Sequence, residues 1–173
     1  MAIEFTVEDG TGLSTATSYL STADTDQYNE NYINDSTWSG AAAGAKQLAL
    51  NQATLYIDTL YYGRWKGERT NETQALAWPR VGVVDADGYD YDSDEMPQKL
   101  LDATAELAIA AATDGVLLTN LSSPGTIKRK KVKADVVESE KEYVGGLSPQ
   151  KLYSMALEQL RGLFIPSNRI FRA

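Results

Sequence analysis

The 173-residue chain contains neither histidine nor cysteine. These two absences exclude disulfides, thiolate nucleophiles, zinc held by Cys or His, haem ligation and every triad whose base is an imidazole. Long apolar runs are missing as well. The longest, Leu107 to Ala112, falls well short of the ~18–20 residues that cross a bilayer, so no membrane partner is expected. The opening MAIEFTVEDG has no basic leader and no apolar stretch of a signal peptide, and the expectation is a soluble, unprocessed protein assembled in the cytosol. No glycine-rich phosphate loop is present, and Gly145-Gly146 reads as a flexible joint. Nothing in the sequence sets two carboxylates apart as an acid and a base. Cations are the scarcer charge, with 16 Lys and Arg against 24 Asp and Glu for a net charge of −8. No enzyme and no cofactor is expected.

What is present suffices for one domain. Hydrophobic residues make up 43% of the chain, enough for a core of ordinary size. Helix signals recur at four places. Ser21 or Thr22 can cap a helix over 22–33, with Asp24 in its first turn and Tyr28 and Tyr32 four apart on one face. The run 41–61 repeats apolar residues at three-and-four spacing (Leu48, Ala49, Ala53, Ile57 and Leu60 among them), and Gly63 can end it in the left-handed conformation. Pro97 suits the first turn of an alanine-rich helix over 97–114. Ser148-Pro149 opens a last helix that Pro166 stops. Leu48, Ile57, Leu101, Leu107, Leu152 and Leu160 are the expected buried residues.

Three stretches do not read as helix. Ile3, Phe5 and Val7 alternate as in a short strand or arm before the turn formers Gly10 and Gly12. VVDADGYDYD is hairpin-like, with Asp87-Gly88 at its turn. IKRKKVKADVVESEKEY, with Val132, Ala134 and Val136 alternating, reads as two strands or one long mobile hairpin over about 126–144. The fold class expected is therefore mainly α: a small helical bundle with a β-hairpin appendage and an extended C-terminal tail. Its helical core spans about 22–120 and 148–165, its tail 166–173, and all of it forms one domain of residues 1–173.

Three clusters could carry chemistry. Asp85, Asp87, Asp90, Asp92, Asp94 and Glu95 offer hard oxygen ligands, but counting from Asp85 puts Gly88 fourth and Met96 twelfth. An EF-hand loop needs glycine sixth and glutamate twelfth, so a solvated loop that repels DNA is favoured over a metal site. The basic run Lys128, Arg129, Lys130, Lys131 and Lys133 could neutralise phosphates, yet Asp135, Glu138, Glu140 and Glu142 follow it closely. If the halves pair, the charges face one another or reach a neighbouring subunit. Tyr61, Tyr62, Arg64, Trp65, Lys66, Arg69, Trp78 and Arg80 interleave aromatics with cations, the pattern of a single-strand binder. The same residues can anchor a loop on the preceding helix. That role is favoured for Trp65, Trp78 and Arg80, because tryptophan is usually mostly buried.

Longer segments carry a family resemblance. TGLSTATSYLSTADTDQYNENY, ATLYIDTLYYGRWKGERTNETQALAWPRVGVVDADG and MPQKLLDATAELAIAAA occur in that order. Together they resemble the head-completion or adaptor proteins of tailed bacteriophages, many of which also carry a DnaT-like single-stranded-DNA-binding label. The likeness covers roughly residues 5–115 and is most specific from Tyr61 through Arg80 and at Asp87-Gly88.

The resemblance implies a virion protein of the neck, made in the host cytoplasm, that joins the portal protein as a ring of twelve copies after packaging. Such a ring extends the DNA channel and presents a platform to a stopper or tail-completion protein. Twelve copies at −8 sum to about −96, a wall along which phage DNA slides without sequence-specific binding. The resemblance also implies a tail that docks between portal subunits. Ile170 and Phe171 would fill an apolar groove there, with Arg169 and Arg172 at its rim. The charged hairpin, through Lys128–Lys133 and Glu138, Glu140 and Glu142, would contact neighbouring subunits or the neck. The competing reading is a DnaT-like module that binds single-stranded nucleic acid.

Overall fold

The computed structural model describes residues 4–114, 127–133, 138–143 and 154–165. It is mainly helical and resolves into two compact units, one of residues 1–118 with 153–173 and one of residues 119–152.

In the larger unit, α1 (Thr22–Tyr28) starts where the Ser21 Oγ accepts from the Asp24 amide at 3.1 Å, and a π-helical turn, Asn29–Ile33, continues it. A short α2 (Ser36–Gly40) follows, in a stretch that reads as a turn in sequence. Asp35 caps it by accepting from the Trp38 amide at 2.9 Å. α3 (Ala43–Leu60) is capped at Tyr61, and Gly63 in the turn that follows takes φ +69°. β1 (Glu68–Arg69) and β2 (Arg80–Val81) form a two-residue antiparallel ladder across a long loop. Gly67 lies so close to the Val81 carbonyl oxygen that a Cβ there would collide with it. α4 (Gln98–Asp114) begins directly after Pro97, whose carbonyl accepts from the Leu100 and Leu101 amides. α5 (Ser154–Gln159) and a 3₁₀ turn, Leu160–Gly162, complete the unit. The expected start of this last helix at Ser148-Pro149 lies outside the described residues.

The core sits where α3 packs on α4 and α4 on α5. Alanines Ala49, Ala53, Ala103, Ala108 and Ala111 are buried along these contacts, so the backbones can approach closely. Leu50, Ile57, Leu100, Leu107 and Leu160 fill the space between at zero exposure. Each such side chain stabilises the fold by about 1.5–3 kcal/mol. α1 is tied to the bundle by Asp26, whose Oδ1 accepts from Trp38 Nε1 at 2.7 Å and from Lys46 Nζ at 2.8 Å.

Two of the expected core leucines are corrected. Leu48 is 47% exposed, because the buried stripe of α3 runs through Ala49, Leu50, Ala53, Thr54 and Ile57. Leu101 is only half-buried and packs at the edge of the core. Leu152 lies outside the described residues.

The N-terminal segment makes one parallel bridge, Val7 to Ser18, and the intervening loop closes on a buried carboxylate. Glu8 accepts from the amides of Gly10, Gly12 and Leu13 at 3.1, 2.8 and 2.9 Å. In the smaller unit, β3 (Ile127–Lys133) pairs antiparallel with β4 (Glu138–Tyr143). Their register sets Arg129 opposite Glu142, Lys131 opposite Glu140 and Lys133 opposite Glu138.

Candidate functional site

The interleaved aromatics and cations after α3 form a connected internal structure. Gly63 turns the chain so that Trp65 returns toward the end of α5. There the Lys66 amide donates to Leu163 O at 3.1 Å and the Ile165 amide to Arg64 O at 2.7 Å. Tyr61 stacks on Phe164 with centroids 4.4 Å apart and meets Trp65 at 5.3 Å. Trp65 meets Trp78 edge-on at 6.0 Å, and Trp78 meets Tyr91 edge-on at 6.3 Å. The Arg64 guanidinium lies over Phe164 at 4.9 Å and over Tyr61 at 5.6 Å. These rings pack as edge-to-face and offset pairs do in a core. Trp65 is 7% exposed and Trp78 not at all.

Two arginines of this region bond to backbone carbonyls. Arg80 donates from Nε to Lys66 O at 2.6 Å, from Nη1 to Ala77 O at 3.0 Å and from Nη2 to Gly67 O at 2.6 Å. Burial pushes its guanidinium below the ordinary arginine value, against the raising influence of Tyr19, Asp58 and Glu68. Arg69 Nη1 donates to Gln74 O at 3.2 Å.

Beneath the loop lies a polar anchor that the sequence did not reveal. The Tyr19 hydroxyl donates to Asp58 Oδ1 at 2.5 Å, and Asp58 Oδ2 accepts from the Ala77 amide at 2.9 Å. The same hydroxyl oxygen accepts from the amides of Ala77 and Trp78, just ahead of the cis Trp78-Pro79 bond. Burial raises the Asp58 carboxyl above its usual range, partly offset by the bonds from Tyr19 and Ala77. Burial also drives the Tyr19 phenol far upward, with the Asp58 charge adding to it. The only sequence signal was a lone carboxylate one residue beyond the buried Ile57.

An open groove of about 980 Å³ runs along this loop, lined by Thr59, Tyr62, Trp65, Arg69 and Arg80 on one hand and Asp58 and Glu68 on the other. Tyr62, 87% exposed, stands at its rim as the most accessible aromatic of the cluster.

A family model described as "Putative DnaT-like ssDNA binding protein" matches residues 3–173. The chain belongs to that family. No curated protein and no solved structure gives a match.

In the described cluster the rings of Trp65 and Trp78 are covered, Arg80 donates to three carbonyls, and Tyr62 keeps an open face. The basic strand Lys128–Lys133 lies in the smaller unit with its register partners as given above. Arg169, Ile170, Phe171 and Arg172 lie outside the described residues. The acidic loop is a turn. Asp85 Oδ1 accepts from the amides of Asp87 and Tyr89 at 2.8 and 2.9 Å, and the bond from Tyr89 chiefly holds its carboxyl below the ordinary range. Among the described residues, no group of three or more His, Cys, Asp or Glu is gathered as a metal site would require. None of the described helices is long and apolar enough to cross a membrane.

Proposed function

We propose that the chain is a structural head–tail adaptor of a tailed bacteriophage, a head-completion protein without catalytic activity. One observation carries the reading: the two tryptophans on which a single-strand groove would stack bases are buried inside the fold. Trp65 and Trp78 are buried in an aromatic ladder, and Arg80 donates to three backbone carbonyls. In a chain of net charge −8, that leaves a body suited to standing beside DNA rather than gripping it. In this reading twelve copies form a ring below the portal, extend the channel, and give the stopper or tail a platform. The segment Arg169–Arg172 seats in the portal, and the charged hairpin bridges to neighbours or neck.

Cryo-EM of the particle neck tests this. Density for this fold directly below the portal is the expected result, and a neck assembled without the chain overturns it. The family description favours a second reading, binding of single-stranded DNA, with affinity falling steeply as salt rises. Anisotropy of a labelled oligonucleotide across a salt series separates the two.

A further inference from the structure

Arg69 and Arg80 stand directly opposite one another in the two-residue ladder of β1 and β2. Like charges at such positions repel and weaken the pairing. Both side chains line the open groove beside the ladder. Burial chiefly lowers the Arg80 guanidinium from its ordinary value, and the Arg69 charge acts in the same direction. Asp58 and Glu68 belong to the same lining. Yet among the described residues neither arginine is in an ion pair. A guanidinium carries five N–H donors. Arg80 gives three of them to the carbonyls of Lys66, Ala77 and Gly67, and Arg69 gives one to that of Gln74. The fold leaves the other donors of these two neighbouring cations unspent. Charge is also segregated along the chain. Residues 4–114 hold six Lys and Arg, and four of them, Arg64, Lys66, Arg69 and Arg80, fall within 64–80, where only Glu68 and Glu72 are acidic.

We propose that this groove binds a carboxylate-bearing segment of a partner protein, with Arg69 and Arg80 holding an Asp or Glu side chain of that segment. Charge selects the occupant: two unpaired cations side by side call for an anion, and their planar forks match a carboxylate that accepts paired N–H donors. Ala75, Leu76 and Ala77 give an apolar lining for the residues on either side, and Tyr62 offers an open ring at the rim. A volume of about 980 Å³ suits a few extended residues. A nucleic-acid strand asks for something else, a track of cations with several open rings. Here Trp65 and Trp78 are covered, and Asp58 and Glu68 would face its phosphates. The net charge of −8 also opposes a run of phosphates more than one or two carboxylates. The proposal goes beyond the adaptor reading and does not depend on it.

Fluorescence anisotropy with the full chain tests it. The probe is a short, end-blocked, fluorescein-labelled peptide in which two Glu stand between Leu and Phe, and its twin carries Gln in their place. The Glu peptide should bind saturably and about tenfold more tightly than the Gln twin, with affinity falling as salt rises. Arg69→Gln, at an exposed position, should weaken binding about tenfold, and Arg69→Lys should recover only part of the loss, because an ammonium lacks the fork. Glu68→Gln, exposed on the same strand, should tighten binding. Arg80 is left intact, since its carbonyl bonds hold the loop. If Arg69→Gln lowers the Tm, the Gln twin and Glu68→Gln still decide. Equal binding of the twin, an Arg69→Gln chain that binds like wild type, or no saturable binding of the Glu peptide overturns the proposal. A single-stranded oligonucleotide that displaces the peptide at lower concentration than unlabelled peptide does would give the groove to nucleic acid and overturn it too. The adaptor reading fails separately: a neck without the chain refutes that reading, while the peptide titration still decides the groove.

Discussion

Tyr19 and Asp58 meet through a 2.5 Å hydrogen bond, with the phenol donating to Oδ1, and between them they hold the amides of Ala77 and Trp78. One side chain comes from the N-terminal segment and the other from α3, so the pair fastens the 70–80 loop to the bundle from two directions. Tyr19→Phe removes the acceptor for the Trp78 amide and takes the donor from Asp58 Oδ1, while Oδ2 keeps the Ala77 amide. Buried groups stranded in this way cost about 1–3 kcal/mol. A urea midpoint lowered accordingly, at unchanged m-value, is the expected outcome. Tyr62→Phe, at the exposed rim, should leave the midpoint where it is.

Position on the helix, not hydrophobicity, decides what a leucine contributes. Leu107 is fully buried and Leu48 is half open to water. Leu107→Asp places an unpaired carboxylate in the core at a cost on the order of 5 kcal/mol, comparable to the whole stability of many domains. Leu48→Asp should fold with nearly wild-type Tm. Circular dichroism melts of the two variants make the comparison, and a cooperative, wild-type-like melt for Leu107→Asp would refute the bundle core.

Two carboxylates should respond to pH with opposite sign. The amide of Trp38, the main cause, holds Asp35 below its unfolded value of 3.8. Its stabilisation is complete above that value and disappears as pH falls through the folded pKa. Burial raises Asp58 above the same reference of 3.8. The folded state therefore binds its proton first, and the cost of a buried charge, full above the folded pKa, is relieved as pH falls from there toward the unfolded value. The Tm gap between wild type and Asp35→Ala should narrow as pH falls below 3.8 and through the lower folded pKa. The gap to Asp58→Ala should widen between neutral pH and pH 4.

Glu8 organises its own loop. Ala at this position strands the amides of Gly10, Gly12 and Leu13, a loss of about 1–3 kcal/mol. Hydrogen exchange at those three amides should quicken more than elsewhere. Glu8→Gln, which keeps one carbonyl oxygen, should restore part of the protection.

Free DNA should bind weakly near physiological salt. The acidic body repels phosphates, and in the hairpin register three cations stand opposite glutamates. Trp65→Ala should act on stability, at about 3–5 kcal/mol for a large buried side chain. A tight, salt-steep oligonucleotide complex that Lys130→Ala abolishes would favour the second reading.

Local chemistry was legible in the sequence alone. Caps, proline and glycine marked the helix ends, because Ser21, Pro97 and Gly63 act on their own backbone or the next turn. Alternation and opposite charge pointed to two strands or a hairpin, and the register between them came only with the structure. The absence of His and Cys bounded the chemistry, and the Tyr61–Arg80 run located the loop that matters. Tertiary structure alone decided the rest. A three-and-four pattern fixes a helix but not its rotation about its own axis. Leu48 and Leu50 are equally apolar, and only the position of α4 buries one and leaves the other in water. Nor does spacing reveal that Tyr19 and Asp58, 39 residues apart, will close over the amides of a third segment. Such a bond forms only once the packed helices have excluded water from all three, and it is the fold that buries Trp65 and Trp78 while leaving Tyr62 at the surface.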